Sequence, residues 1–244
     1  MRTLVLSSIL AVLTATPTVA SETAATAPPH FSASSSSFVY TSTAALTVEG
    51  ILAHMERMDS LLHSLSARYS QEMSVPDTGM RSSVHGRLQF RKPERLRIEH
   101  DRPERQTIVA DGVDIWIHRH AHSQVIQSKL KDWKQADPTM SNLMQFGSYA
   151  KMLRTYDVRL ASGTLPALLL YPKKKSRDGD FHLKLGLDRN TLFPSHVRLT
   201  VGAMTILTQF SEVAFNPDLQ EKAFTFTPPK GADVFRNFKP PRMQ

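Results

Sequence analysis

Apolar residues recur at Ile51, Leu52, Met55, Met58, Leu61, Leu62 and Leu65, the spacing of one helical face, and Thr47 stands where an N-cap accepts a backbone N–H. An amphipathic helix of about four turns is predicted, giving way near Ser66 to an extended segment. Beyond Thr78 the period falls to two. SSVHGRLQF sets Val84, Leu88 and Phe90 against Arg87, Gln89 and Arg91, and RLRIEHD sets Leu96 and Ile98 against Arg95, Arg97 and Glu99. Such alternation is that of antiparallel sheet with one covered face, and RKPE between the two runs reads as a turn because Pro93 fixes its own φ.

The meander continues through QTIVA, the Asp111-Gly112 hairpin turn, VDIWIH, a reversal near Arg119 to Ala121, and SQVIQ. Lys131 to Lys151 loosens into one or two short helices capped by Asp137 or Thr139. Strand patterns return in TYDVRLA, LPALLLYP, DFHLKLGLD, FPSHVRLTV, MTILTQFSEVAF and the terminal AFTFTPP, with the lysine-rich YPKKKSRDGD as a solvated turn. The fold class expected is mainly β with helices (α+β). Roughly ten strands and few helices leave one sheet face under-covered, and a curled, incompletely filled sheet encloses an apolar hollow suited to lipid.

The beginning of the chain changes the setting. MRTLVLSSILAVLTATPTVA carries an arginine, a short apolar run and small residues up to Ala20, which is a secretory signal peptide over 1–20 rather than a membrane span. Residues 21–43 form a Ser/Thr/Ala-rich flexible leader in which Phe31, Phe38, Val39 and Tyr40 are the residues able to dock. A folded domain is placed at 44–238, with a disordered tail at 239–244. There is no cysteine, so disulfides and thiolate chemistry are excluded and stability rests on the packed core. The net charge of +8, outside the cytoplasm, suits anionic headgroups or acidic proteins better than nucleic acid.

Sites for chemistry are few. The chain lacks GxSxG, HExxH, GxxxxGK[ST] and GxGxxG, so neither an enzyme nor a cofactor is expected. His118, His120 and His122 in WIHRHAH are read as solvated hairpin residues, a metal or pH-responsive site being the alternative. Arg87, Arg91, Arg95 and Arg97 are read as an exposed sheet face without the interleaved aromatics that nucleic acid needs. The methionines, with Trp133 and Phe146, are read as core or as an adaptable acyl-binding surface.

From Leu46 to Val234 the chain resembles the LolA family of periplasmic outer-membrane lipoprotein carrier proteins. The residues that carry the resemblance are GRLQFRKPERLR, DGVDIW and FTFTPPKG, in that order behind a signal peptide. The resemblance implies an unclosed antiparallel half-barrel of about ten or eleven strands, lidded by helices, with an apolar cavity for the acyl chains of triacylated lipoproteins. It implies cargo received from an inner-membrane ABC-type release complex and passed to an outer-membrane receptor lipoprotein, in the periplasm of a Gram-negative bacterium, by a monomer. Gating falls to Arg91 or Lys92: the family's lid-binding arginine, just before the proline, is replaced here by Lys92, which keeps the charge but not the planar fork. Cavity-lining roles fall to Leu88, Phe90, Leu96, Ile98, Trp116, Met140, Leu143, Met144 and Phe146. The alternatives are a LolA-like carrier of another lipid or hydrophobic cargo serving a lipid exporter, and an envelope-stress sensor or structural partner of the same fold.

Overall fold

The computed structural model describes residues 38–40, 46–136, 148–173 and 181–240. The signal peptide, most of the leader, the loop after Lys173, the last four residues, and Asp137, Thr139, Met140, Leu143, Met144 and Phe146 lie outside the described residues.

Helix α1 spans Val48–Leu61, and Thr47 caps it by accepting the Gly50 N–H at 3.1 Å. The helix ends before Leu65 because that residue enters β1 (Ser64–Val75), whose alternating burial shows a strand where the sequence suggested only an extended segment. Next come β2 (Met80–Arg91), β3 (Arg95–Arg102), β4 (Gln106–Asp111), β5 (Asp114–Arg119) and β6 (Gln124–Lys129). At the β4–β5 hairpin the Asp111 carboxylate accepts from the Val113 and Asp114 N–H groups, both at 2.8 Å. Gly112 takes a φ of 102° there, which a side chain would oppose. Two short helices, α2 (Leu130–Ala136) and α3 (Tyr149–Leu153), flank the undescribed stretch. The chain then runs through β7 (Tyr156–Leu160), β8 (Ala167–Pro172), β9 (Phe181–Leu187), β10 (Pro194–Val201), β11 (Met204–Phe215) and β12 (Asp233–Phe235).

All the strands join one unclosed twelve-stranded sheet, ordered β12-β6-β5-β4-β3-β2-β1-β11-β10-β9-β8-β7. Every pairing is antiparallel except β12 on β6. Register shifts near Ser66, His85 and Pro194 are bulges of the kind that bend a strand and increase its twist.

One expectation fails: AFTFTPP is not a strand. Glu221–Phe224 is a short 3-10 turn, and the sheet is joined only later, at Asp233. The segment instead crosses the outer sheet face, and Pro228 and Pro229 have no N–H to offer a ladder. Phe224 is buried to 1% exposure, with the Arg91 guanidinium 5.7 Å from its ring, and Phe226 packs on Trp116 and His118.

Candidate functional site

Strand register converts the alternation of the sequence into rows across the inner face. One row runs Leu65, Phe90, Leu96, Ala110, Ile115 and the next runs Ala67, Leu88, Ile98, Ile108, Ile117. All ten side chains are buried. Met58 of α1, Leu62 at its end, and Leu130 and Trp133 of α2 cover this lobe. A second apolar lobe gathers Leu168, Leu170, Leu185 and Leu187 under Ala150 and Leu153 of α3 and under Ile51 and Met55 of α1. Helix α1 therefore bridges both lobes through a single apolar stripe. Between α1 and strands β10 and β11 remains a cavity of about 20 Å³, bordered by Met55, Met58, Leu62, Phe193 and Phe215. That space holds about one water molecule, and around it the described part of the inner face is packed by the protein's own side chains.

The third row is polar: Tyr69, Gly86, His100. Tyr69 Oη, His100 Nε2 and Gln71 Oε1 are buried without a hydrogen-bond partner among the described residues. Burial, reinforced by Asp101, raises the Tyr69 pKa; burial also drives that of His100 down to about 4, against opposing contributions from Gln106 and Asp101. The inner surface thus passes from hydrocarbon at the helix end to hydroxyl, amide and imidazole at the other.

Lys92 and Arg91, adjacent in sequence, point to opposite faces. Lys92 Nζ donates to the Asp59 carbonyl oxygen in the last turn of α1, and the Lys92 N–H donates to His63 O at 2.9 Å. Asn216 holds the same end of the helix, donating to Leu61 O at 2.9 Å and accepting from the His63 and Ser64 N–H groups. The Asp59 carboxylate accepts the Ala150 N–H of α3 at 3.0 Å. Its pKa is held above the usual carboxylate range by burial, which outweighs those backbone bonds and nearby Lys92. Lys92 and Asp59 thus couple the β2–β3 turn to α1 and α3. Arg91 instead donates to Leu219 O at 3.1 Å and pairs with Glu221, which also pairs with Arg95; Arg97 donates to Ala223 O at 3.2 Å. The basic ladder read as a bare face grips the carboxy-terminal segment, and Arg87 alone of the four is exposed.

Of the proposed lining residues, Leu88, Phe90, Leu96 and Ile98 lie on the inner face, whereas Trp116 lies on the outer one, 5.7 Å from Phe226 and 5.9 Å from the Arg236 guanidinium. Strand parity decides this, since neighbouring Ile115 and Ile117 are the inward pair. The histidines differ from the solvated reading as well. His118 is 8% exposed and its ring centre lies 4.0 Å from that of His120, tilted by 37°, and Thr107 Oγ1 lies 2.9 Å from His120 Nε2; of the three only His122 is exposed. Burial, then Arg105, lowers the His118 pKa; burial, then His118, lowers that of His120. The segment laid over this face, which strand alternation does not reveal, buries the pair. Among the described residues no group of three His, Cys, Asp or Glu side chains is placed to hold a metal.

Sequence reasoning passed over Asp59 and Asn216, single polar residues with no motif around them. It noted Phe38 without a partner. The structure buries Phe38 at 3% exposure, stacked on Phe215 at 4.6 Å with 18° between the rings.

Residues 60–227 match the family model described as outer membrane lipoprotein carrier protein LolA. The outer-membrane lipoprotein carrier protein of Chromobacterium violaceum is 30% identical over 186 residues, covering 75% of this chain and 86% of that protein. That of Methylibium petroleiphilum is 28% identical over 200 residues, covering 78% and 95%. A solved LolA superfamily protein from Nitrosomonas europaea superposes with a TM-score of 0.44 at 15% identity, over 75% of this chain and 99% of that one.

Proposed function

The chain belongs to the LolA family of outer membrane lipoprotein carriers, and from that premise we propose that it is a periplasmic chaperone holding lipoprotein acyl chains against its inner apolar rows. On this reading it takes cargo from an inner-membrane ABC-type release complex and gives it to an outer-membrane receptor lipoprotein. The observation that carries the proposal is one arrangement: rows of buried aliphatic residues beneath a helix whose end is tied down by Lys92 and Asn216. No catalytic step belongs to it.

The energetics favour a reversible carrier. An acyl chain gains roughly 0.8 kcal/mol for each buried CH₂, far too much for unaided release if the empty site were open to water. Here the empty site is filled by Met58, Leu62 and their neighbours, so loading exchanges one apolar contact for another and only the difference appears as affinity. Lys92 sets part of that difference, because its bond to α1 must break for the helix to move.

The test is native mass spectrometry of the chain from Ser21 onward, incubated with a tripalmitoylated cysteinyl peptide. A one-to-one complex, lost when α1 is cross-linked to the β2–β3 turn, is expected. Recovery of a free lipid from cells, with no uptake of the lipopeptide, would falsify the lipoprotein reading and favour a carrier of another lipid.

A further inference from the structure

The hollow is closed in part by a segment that belongs to no strand and no long helix. Phe38 enters the first apolar lobe and Tyr40, two residues on, packs against the second, while Val39 between them is 40% exposed. The Phe38 ring lies flat on Phe215, which meets Phe193 edge-on at 5.5 Å. Both partners border the residual cavity beside α1. The Tyr40 ring meets His54 at 5.2 Å and its N–H donates to Asn190 O at 2.5 Å. His54 is itself fixed, with Nε2 donating to Thr191 O and Nδ1 accepting from Arg57, both at 2.9 Å. Two aromatic side chains from the leader therefore sit where α1 meets the β9–β10 loop and the end of β11.

The described contacts of this segment are made mainly by its side chains, Phe38 being buried and Tyr40 half-buried. Among the described residues, one main-chain hydrogen bond outside helices and strands holds 38–40, from the Tyr40 N–H to Asn190 O, and the six residues between Phe31 and Phe38, SASSSS, are all small and, but for Ala33, polar. Phe38 also precedes residues 60–227, the part that matches the carrier family. An apolar group held mainly by its side chain, on a polar tether and at the seam of the lid, is placed to leave when another apolar group competes.

We propose that Phe38 and Tyr40 form an internal plug, a piece of the leader that occupies the mouth of the apolar hollow and must be displaced by an incoming acyl chain. The proposal rests on the reading of the hollow as an acyl-chain site. The plug lowers the apparent affinity by the fraction of molecules in which it is seated, and reseating it favours release of cargo.

Because the chain has no cysteine, Val39→Cys gives a unique attachment point on an exposed position. A nitroxide there is read by electron paramagnetic resonance before and after addition of a tripalmitoylated cysteinyl peptide or a fatty acid, and binding of both ligands is measured for the unlabelled chain and for Phe38→Ala. An ordered spectrum that becomes mobile on saturation, and a roughly tenfold or greater gain in affinity for Phe38→Ala, are expected. A label that stays ordered with ligand bound, or a folded Phe38→Ala chain with equal or weaker affinity, overturns the plug. Should Phe38→Ala not fold, the label decides alone. Mobility induced by fatty acid without binding of the lipopeptide keeps the plug and removes the lipoprotein reading; binding of neither ligand by either chain removes both.

Discussion

Lys92, in the turn between β2 and β3, places its ammonium on the main-chain carbonyl of Asp59, in the last turn of α1. Helix C-termini leave carbonyls without intrahelical donors, and a cation there also meets the negative end of the helix dipole. The contact joins the β2–β3 turn to the element that covers both apolar lobes. Arg91 has no part in it, being committed to Glu221 and Leu219 on the opposite face.

Lys92→Met should therefore cost about 1 kcal/mol of stability, the typical net value of a partly exposed hydrogen bond, while raising the rate at which an apolar fluorescent probe enters. Lys92→Arg should restore the wild-type rate, and Arg91→Met should leave it unchanged. Urea unfolding and stopped-flow uptake measure the two effects, and an equal change in uptake for Arg91→Met would show that the latch is not specific to Lys92.

Gly86 carries a stricter requirement. A Cβ on this residue would lie 2.2 Å from the Glu99 carbonyl oxygen and 2.7 Å from Tyr69 Oη, and the nearer atom belongs to the backbone of the neighbouring strand. Gly86→Ala should destabilise the protein by more than about 2 kcal/mol, since β2 and β3 must separate to admit it. Gly79→Ala is the control for positive φ without crowding, because nothing lies within 4 Å of its Cβ position, and it should cost less than Gly86→Ala in the same denaturant titration.

The carboxy-terminal segment is held by both charge and burial, and their magnitudes differ. Glu221 pairs with Arg91 and Arg95, but its side chain is more than half exposed, so Glu221→Gln should cost less than about 1 kcal/mol and less still at high salt. Phe224 is almost fully buried, and Phe224→Ala should cost about 3 to 5 kcal/mol. Comparable losses for the two variants in thermal unfolding would assign the segment to electrostatics.

His100 predicts an acid-sensitive fold. Its pKa falls from an ordinary 6.5 to about 4 because burial disfavours the charged ring, more than Gln106 and Asp101 favour it. The unfolded chain therefore takes up this proton first: the full contribution is present above about pH 6.5 and is lost as pH falls toward 4, to the extent of roughly 3 kcal/mol. The neighbouring Tyr69 has its pKa raised and stays neutral throughout this window. His54, His118 and His120 are lowered too and add slope of the same sign. Urea titrations between pH 7.5 and 4.5 should show a shallower decline for His100→Phe than for the wild type; parallel curves would remove His100 as a contributor.

Much of the sheet was legible because a strand exposed on one face must alternate. Leu88, Phe90, Leu96 and Ile98 were assigned inward from parity alone, and parity also turns Trp116 and His118 outward. The same local rule could not show that the segment from Leu219 to Phe226 lies over that outward face, so His118 and the arginines looked solvated. Strand β1 was hidden because Leu62 and Leu65 continue the period of α1 beyond its real end. AFTFTPP looked like a strand because alternation records a face, not a partner.

The antiparallel meander, the helix with its Thr47 cap and the apolar character of one sheet face are readable along the chain, since each depends on residues close together in it, and the carrier family is readable from three short motifs in fixed order. That Lys92 rather than Arg91 reaches α1, that Asn216 closes the end of that helix, and that Phe38 lies on Phe215 became visible only in the folded chain. Those contacts join positions 33, 155 and 177 residues apart. They depend on the order in which the strands assemble and on which side of the sheet each loop crosses, and a local pattern of hydrophobic and polar residues is the same for either side.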